Sequence, residues 1–217
     1  MGLGRYVEDG GKMELKQALA ELRKLEKRKF DQSIDLIVNL NGVDLKKDNI
    51  SAIINIPHKI KEKKICGFLT KKSDQVKTIT QLDFIKYRDK KELKNLVKNF
   101  DFFIAAAPLM PSVATAFGKA LGPAGKMPSP QLGILPVENE ERIKTELDKI
   151  SKSIKIRAKE ASIKVSIGKE NMSDNEILSN IEAVYAGIVN ALPTKKENVK
   201  SAIIKLSMSK PIKVEIK

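Results

Sequence analysis

The sequence contains few of the residues from which catalytic and redox sites are commonly built. Cys66 is the only cysteine and His58 the only histidine among the 217 residues. A lone thiol excludes an intramolecular disulfide, and Cys66 stands in an apolar run where a small core residue fits. His58 follows Pro57 and is expected in a linker. The sequence has no cluster of carboxylates and histidine that would indicate a metal site, and no Gly-x-Gly-x-x-Gly sequence follows a predicted strand. We therefore predict a protein that is not an enzyme and that binds no metal or cofactor.

Aromatic residues and long apolar runs are also scarce. The chain has no tryptophan, seven phenylalanines and three tyrosines, which disfavours a base-stacking platform of the kind found in single-strand binders. No run approaches the roughly twenty apolar residues of a membrane-spanning helix. The first eleven residues are mixed in charge and lack the apolar centre of a secretory signal. We therefore expect a cytoplasmic protein with no membrane partner.

Positive charge, by contrast, is abundant. The chain has 41 lysines and arginines against 27 aspartates and glutamates, which gives a net charge of +14. A surplus of this size favours polyanions, and nucleic acid is the first partner to consider. The alternative is that the lysines only solvate the surface. A DNA-binding regulator is disfavoured because no helix-turn-helix, zinc or basic-zipper pattern is present.

Hydrophobic periodicity at the two ends of the chain differs from that in the middle. At the ends, apolar residues recur at helical spacing or alternate with polar residues, as in amphipathic helices and half-buried strands. The predicted helices cover 14–29 and 173–192, and the predicted strands cover 33–40, 50–56, 162–168, 199–206 and 212–216. In the middle, 65–69 and 100–107 are nearly continuous apolar runs. Such strands are covered on both faces, which is typical of parallel sheets with crossover helices.

These two textures predict an α/β protein of two domains. A discontinuous α+β domain would be built from 13–63 and 154–217, and a doubly wound, Rossmann-like α/β domain would be inserted over 64–153. Residues 1–12 precede the periodic pattern and are expected to form a loosely attached extension. Two connections side by side between the domains would form a hinge.

A segment rich in glycine and proline, residues 117–130, is predicted to form a rigid loop. Glycine permits backbone angles closed to other residues, and proline fixes φ. Gly125 and Lys126 resemble half of a phosphate-binding loop, but that motif requires glycine where Ala120 stands and a hydroxyl where Met127 stands. The spacing therefore disfavours a nucleotide hydrolase.

Five separated segments carry a resemblance to a known family. They are Lys-Phe-Asp-Gln-Ser-Ile-Asp at 29–35, Asp-Phe-Phe-Ile at 101–104, Leu-Gly-Pro-Ala-Gly-Lys-Met-Pro at 121–128, Asn-Ile-Glu-Ala-Val at 180–184 and Leu-Ser-Met-Ser-Lys-Pro at 206–211. In this order they resemble the large-subunit ribosomal stalk proteins of the ribosomal protein L1 family. The resemblance covers nearly the whole chain from Met13 on, and its length and short loops are more similar to the archaeal or eukaryotic branch than to the bacterial one.

The resemblance implies a binding protein of two domains. Such a protein binds a folded stem of large-subunit ribosomal RNA and forms the mobile stalk beside the exit site for transfer RNA. In prokaryotic members the same surface also binds the leader of the protein's own messenger RNA and represses translation. The resemblance further implies a monomer outside the ribosome, with the main RNA surface on the domain that contains both termini.

The family's first group of RNA contacts corresponds here to five consecutive residues. They are Lys29, Phe30, Asp31, Gln32 and Ser33. Lys29 would meet a phosphate, and Gln32 and Ser33 would bond ribose 2′-hydroxyl groups. Phe30 would pack on a ribose or a splayed base. The alternative for Phe30 is a core position at the start of the strand.

The second group lies in a turn between the last two predicted strands. It comprises Ser207, Met208, Ser209 and Lys210. Members of the family usually have threonine, methionine and glycine at 207–209, so Ser209 departs from the pattern and the tightness of the RNA contact is in question. Lys164 and Lys213 are expected to meet phosphates nearby, or else to be solvated strand lysines.

By the same resemblance, the segment rich in glycine and proline belongs to the inserted domain, at the cleft between the domains or facing RNA. Its candidate residues are Gly122, Pro123, Gly125, Lys126 and Pro128. We expect a structural or hinge-gating role for them in preference to RNA binding. Closure of the domains would bring Lys119 and Lys126 toward the RNA or the other domain.

Overall fold

The structure is a computed structural model that describes residues 13–25, 28–43, 50–158 and 160–216. The predicted N-terminal extension over 1–12 lies outside the described residues. The chain divides into two compact units. One contains the described residues up to Ile60 together with those from Lys155 onward, and we call it the terminal unit. The other, Lys61–Ile154, is the middle unit.

Five α-helices and eleven strands are present among the described residues. The helices are α1 (Leu15–Arg23), α2 (Lys90–Asn99), α3 (Met110–Ala124), α4 (Glu140–Ser151) and α5 (Asp174–Ala191). The strands are β1 (Met13–Glu14), β2 (Ser33–Leu40), β3 (Ser51–Asn55), β4 (Ile65–Phe68), β5 (Lys77–Ile79), β6 (Phe102–Ala106), β7 (Ile134–Leu135), β8 (Ser153–Arg157), β9 (Ser162–Lys169), β10 (Val199–Leu206) and β11 (Ile212–Glu215). Short 3₁₀ helices cover Gln81–Arg88, Ala107–Leu109 and Lys195–Asn198. The mixed α/β class predicted from the sequence is confirmed.

The terminal unit is built on a five-stranded sheet in the order β1-β11-β10-β2-β9. Strand β2 is antiparallel to both β10 and β9. Alternate residues of β2 are buried, because α1 and α5 pack over one face of the sheet. The register pairs Ile34 with Leu206, so the start of β2 lies beside the end of β10. This pairing positions the candidate site.

Helix α5 is locked to its surroundings by a cap and a buried amide. Ser173 and Glu176 form a capping box at its start. Asn180 is fully buried, and its side chain accepts a hydrogen bond from the His58 backbone N–H and donates to the carbonyls of His58 and Ile167. One asparagine thus satisfies backbone groups from two separate segments. These bonds give the first residue of the Asn-Ile-Glu-Ala-Val motif a structural role.

The middle unit contains a four-stranded sheet in the order β5-β4-β6-β7, with every pair parallel. Strands β4 and β6 are its two inner strands. Cys66 is fully buried, as expected from its apolar run. One face of the sheet carries an aromatic core, in which the Phe68 and Phe103 rings stack with centroids 5.7 Å apart and Phe117 contributes a ring from α3.

The predicted loop over 117–130 is wrong for its first half, because α3 extends through Ala124. Val113, Phe117 and Leu121 recur every four residues and are fully buried against the aromatic core, so tertiary packing outweighs the low helix propensity of glycine and proline. Gly122 has open space around it, and Pro123 occupies the last turn of the helix. Gly125 ends the helix with a positive φ of 71°.

Helix α1 is shorter than the predicted 14–29 and ends at Arg23. Ala18, Leu19 and Leu22 are buried as the periodicity indicates. Leu25 continues the same spacing three residues after Leu22, but it is 47% exposed, because it follows the end of the helix.

Candidate nucleic-acid interface

The two predicted groups of RNA contacts, 29–33 and 207–210, meet at one edge of the terminal unit. The Ser207 N–H donates to the Ser33 carbonyl at 3.1 Å, and the Ser207 hydroxyl accepts from the Ser33 N–H at 3.2 Å. The two serines are 174 positions apart in the sequence. We call the joined surface, residues 29–33 and 207–210, the strand-end surface.

Gln32 braces this surface from within. Only 3% of its area is exposed. Its Oε1 accepts from the Met208 N–H at 3.3 Å, and its Nε2 donates to a Glu170 carboxylate oxygen at 3.4 Å. The sequence assigned this amide to ribose hydroxyls, whereas the structure engages it inside the protein. A buried amide with both ends bonded fixes the two segments relative to each other.

Phe30 and Met208 project from the strand-end surface. Phe30 is 53% exposed and Met208 is 66% exposed. The alternative placement of Phe30 in the core is therefore excluded. Lys29 is exposed, and Asp31 forms an ion pair with Lys169 at 3.3 Å. The surface thus presents apolar side chains beside charged ones on a hydrogen-bonded frame.

Ser209 fits its turn without strain. Its hydroxyl accepts from the Leu206 N–H at 2.8 Å, and its N–H donates to the Leu206 carbonyl at 3.1 Å. Among the non-glycine residues that the structure describes, Lys195 alone has a positive φ. Ser209 therefore does not adopt a backbone angle that would demand glycine, and its side chain closes the turn.

Lys164 and Lys213 lie on the exposed face of the sheet, outside the strand-end surface. Lys164 pairs with Ile37, which is four residues along β2 from Ser33, or roughly 13 Å. Lys213 pairs with Ile203 and follows Lys210 by three residues. The Lys164 ammonium lies 3.5 Å from a Glu160 carboxylate oxygen. The structure therefore brings nine of the eleven predicted contact residues together, with Lys213 three residues beyond them in the chain and Lys164 farther along the sheet.

The same face of the sheet carries a half-buried carboxylate, Asp35. Its pKa is raised above the ordinary value mainly because burial disfavours the charged form. A hydrogen bond from Ser166 and the nearby charge of Lys205 oppose this rise. Asp35 follows Ser33 by two positions, so the polar stripe of β2 continues from the strand-end surface along the sheet.

A groove of about 440 Å³ opens beside the strand-end surface. The residues that line it are Glu21, Leu25, Arg28, Gln32, Leu206, Met208, Ser209, Lys210 and Ile212. Sequence reasoning missed five lining residues outside 29–33 and 207–210, namely Glu21, Leu25, Arg28, Leu206 and Ile212. The signal that could have found one of them is Leu25, an apolar residue near the end of the predicted helix over 14–29.

Arg23 holds the end of α1 next to this groove. Its guanidinium donates from Nε to Asp174 at 2.8 Å and from its two terminal nitrogens to the carbonyls of Glu170 and Met172. A planar fork of donors suits several fixed acceptors at once. The end of α1 is therefore anchored to the segment before α5. These bonds also fix the position of the groove wall that begins there.

The candidate loop residues in the middle unit serve its own packing. The Lys126 ammonium donates to the carbonyls of Val97 and Phe100, both at 2.7 Å, at the end of α2. A cation at a helix C-terminus satisfies carbonyls left without partners in the helix and interacts favourably with the helix dipole. Pro128 is buried. The observed bonds of Lys126 therefore lie within the middle unit.

The described part of the chain shows neither a metal site nor a helix that could span a membrane. Residues 13–25, 28–43, 50–158 and 160–216 contain no cluster of three or more histidine, cysteine, aspartate or glutamate side chains arranged to hold a metal ion. None of the helices in those ranges has the length and apolar character needed to cross a membrane.

Comparison with known families decides what kind of protein carries this surface. Residues 22–210 match the profile of the ribosomal protein L1p/L10e family. The chain belongs to this family. The matched span includes both segments of the strand-end surface and the whole middle unit, so the resemblance drawn from the five motifs is confirmed.

Several archaeal proteins are similar to this chain. A protein named large ribosomal subunit protein uL1 from Thermococcus kodakarensis is 34% identical over 218 residues, covering 94% of this chain and 98% of the relative. The protein of that name from Methanocaldococcus jannaschii is 33% identical over 213 residues, with 93% and 94% covered, and that from Archaeoglobus fulgidus is 31% identical over 202 residues, with 87% and 91% covered. The chain is therefore of the archaeal type.

Proposed function

We propose that this chain is a structural component of the large ribosomal subunit that binds large-subunit ribosomal RNA with its strand-end surface. The observation that carries the proposal is the joining of segments 29–33 and 207–210 into one frame that leaves Phe30 and Met208 exposed. The names of the archaeal relatives support the ribosomal role.

The chemistry of the surface suits a shaped RNA. Lys29 and Lys210 supply positive charge for phosphates, and the net charge of +14 draws RNA toward the protein. Phe30 and Met208 offer apolar contact to ribose faces or unstacked bases. Because hydrogen bonds brace the backbone near both side chains, binding orders little additional backbone.

The finer parts of the proposal rest on family membership. The bound RNA is the stem region of the mobile stalk beside the transfer-RNA exit site, and exit-site transfer RNA is a further partner. The same surface binds the leader of the protein's own messenger RNA and represses its translation. In this scheme the terminal unit is the RNA-binding domain, the middle unit is the inserted domain, and the protein is ribosome-associated, monomeric outside the ribosome and without catalytic activity.

A competition binding assay tests the central claim. The stalk fragment of ribosomal RNA competes with an unrelated hairpin of equal length and charge, at low and at near-physiological salt. Phosphate contacts weaken steeply with salt, whereas shaped and hydrogen-bonded contacts keep their preference. We expect the preference for the stalk RNA to survive the higher salt. Equal binding and equal release of both RNAs would refute the proposal.

Met208→Ala locates the site within that assay. The substitution removes an exposed side chain, and the backbone bond to Gln32 remains available. We expect about a tenfold loss on the stalk RNA and almost none on the hairpin. Leu82→Ala is the matched control, because Leu82 is 85% exposed in the middle unit and should leave both affinities unchanged. Ser207→Ala is less informative, since Ser207 also bonds the Ser33 backbone.

A further inference from the structure

Exposed apolar side chains in the terminal unit are confined to one place. Leu25, Phe30 and Met208 are its large hydrophobic residues with high exposure, among those the structure describes. Leu25 and Met208 both line the groove beside the strand-end surface, and Phe30 lies two positions from a third lining residue, Gln32. Apolar side chains gathered around a concavity are typical of a binding site.

The groove has apolar walls and a charged rim. Leu25, Leu206, Met208 and Ile212 supply its apolar lining, whereas Arg28 and Lys210 supply positive charge. Its volume of about 440 Å³ falls within the range of about 300–1,000 Å³ found for small-molecule sites. The polar amide of Gln32 is already bonded to Met208 and Glu170, so an occupant gains mainly apolar contact there.

We propose that this groove receives one unpaired nucleobase of the bound RNA, splayed out of its helix. The inference rests on the proposed function, because the base is part of the RNA held at the strand-end surface. Flipped bases are commonly held between apolar side chains, and a methionine sulfur such as that of Met208 makes favourable contacts with ring edges. A single base is also small enough for a groove of this volume.

The charges around the groove distinguish a base from other occupants. Arg28 and Lys210 match the phosphates on either side of a splayed nucleotide. The carboxylate of Glu21, which also lines the groove, disfavours a phosphate within it and can accept a hydrogen bond from an exocyclic amino group. Adenine, cytosine and guanine carry such a group and uracil does not. The two cations at the rim favour RNA over an apolar peptide.

Abasic scanning tests the proposal with the full-length protein. Each unpaired nucleotide of the stalk fragment is replaced in turn by an abasic one, and affinity is measured at near-physiological salt. We expect one position at which removal of the base lowers affinity by about tenfold. That position should carry adenine, cytosine or guanine. A scan in which no position responds would overturn the proposal and leave the groove to another class of partner, such as a peptide.

Leu25→Ala then links the base to the groove. We expect a loss of about three- to tenfold on the intact RNA and none on the RNA abasic at the identified position, because the contact is already gone. Phe30→Ala is the matched control, since Phe30 is exposed but does not line the groove, and its cost should be equal on both RNAs. Folding of each variant is checked by circular dichroism, and Ile212→Ala repeats the test from the other wall.

The outcomes separate the two proposals. If Leu25→Ala and Ile212→Ala each cost the same on intact and abasic RNA, the base does not occupy the groove. Binding to ribosomal RNA still stands in that case, provided that the stalk RNA is preferred over the hairpin. If that preference is absent at near-physiological salt, both proposals fail together.

Discussion

The two units of the chain use aromatic residues in opposite ways. The middle unit holds six of the seven phenylalanines. They are Phe68, Phe84, Phe100, Phe102, Phe103 and Phe117. Most of these rings form the core on one face of its sheet. The terminal unit builds its core from aliphatic side chains, and its one phenylalanine, Phe30, is 53% exposed. The terminal unit therefore exposes its one phenylalanine on the strand-end surface.

Part of the positive charge serves the internal structure of the middle unit. Lys126 and Lys63 turn their ammonium groups toward backbone carbonyls there. Other lysines are exposed in both units, for example Lys119 in the middle unit and Lys29 on the strand-end surface. The net charge of +14 is therefore not wholly available to a polyanion, because part of it stabilises helix ends.

Phe117→Ala is expected to have the largest effect on stability, and it tests the contrast between buried rings in the middle unit and the exposed ring in the terminal unit. The Phe117 ring is fully buried, with centroids 4.8 Å from Phe68, 5.0 Å from Phe84 and 5.8 Å from Tyr87. Removing a buried ring leaves a cavity, so we expect the free energy of unfolding to fall by about 3–5 kcal/mol. Urea titration followed by circular dichroism measures it.

Phe30→Ala is the control for that measurement. Because half of this ring is already in solvent, its loss should change the free energy of unfolding by less than about 1 kcal/mol. Comparable destabilisation by the two substitutions would contradict the division between a core aromatic cluster and a surface aromatic.

Lys126→Met is expected to have the next largest effect. The substitution removes two short hydrogen bonds to the Val97 and Phe100 carbonyls at the end of α2. Since bonds from a charged donor contribute more than neutral ones, we expect a loss of about 1–2 kcal/mol in the free energy of unfolding, with affinity for the stalk RNA unchanged.

Lys119→Met provides a matched change of charge on the same unit. Lys119 is exposed on α3, so its removal should leave stability nearly unaltered. If Lys126→Met weakened RNA binding more than Lys119→Met did, Lys126 would belong to the RNA interface instead of the helix cap.

The opposite profile is expected for Phe30→Ala when RNA affinity is measured. The exposed ring contributes little to folding, but it stands on the strand-end surface beside the bonded Ser33 and Ser207. We expect about a tenfold weaker complex with the stalk RNA, measured by filter binding at near-physiological salt. An unchanged affinity would remove Phe30 from the proposed interface.

Much of the sheet in the terminal unit could be predicted because one face of each strand is regularly apolar. Strands β2 and β10 have the predicted bounds, 33–40 and 199–206, since one face of each is buried, whereas the other is only partly buried although it includes Ile37 and Ile203. Helix α5, Asp174–Ala191, lies within the predicted 173–192, because its apolar residues recur at helical spacing. Strands β5 and β7 were not predicted, because two or three residues show no period.

Helix α3 shows where local signals were misleading. Its glycines and prolines favour a loop, yet Val113, Phe117 and Leu121 form a buried stripe that the aromatic core stabilises. That stripe is visible in the sequence, but its partners come from distant segments. Contact residues on the strand-end surface could be proposed from motifs, whereas the groove depends on where α1 ends and could not.

The smallest expected effect is on how the free energy of unfolding depends on pH, and it is found by comparing the wild-type protein with Lys63→Met. The Lys63 ammonium donates to the carbonyls of Ile150 and Ser153. Burial lowers its pKa from 10.5 to about 8, and the Asp101 carboxylate opposes part of that shift.

In the unfolded chain the Lys63 ammonium stays protonated up to its ordinary pKa. Between these two values the unfolded state binds more protons, so the contribution of Lys63 to stability rises with pH in this window and is constant below it. Because the side chain is only half-buried, solvent screening keeps the change below about 1 kcal/mol.

Urea titrations of the wild-type protein and of Lys63→Met, at pH values on either side of about 8, measure this effect. The free energy of unfolding of the wild type, relative to that of Lys63→Met, should increase at the higher pH. A constant difference would show that Lys63 keeps its proton in the folded state.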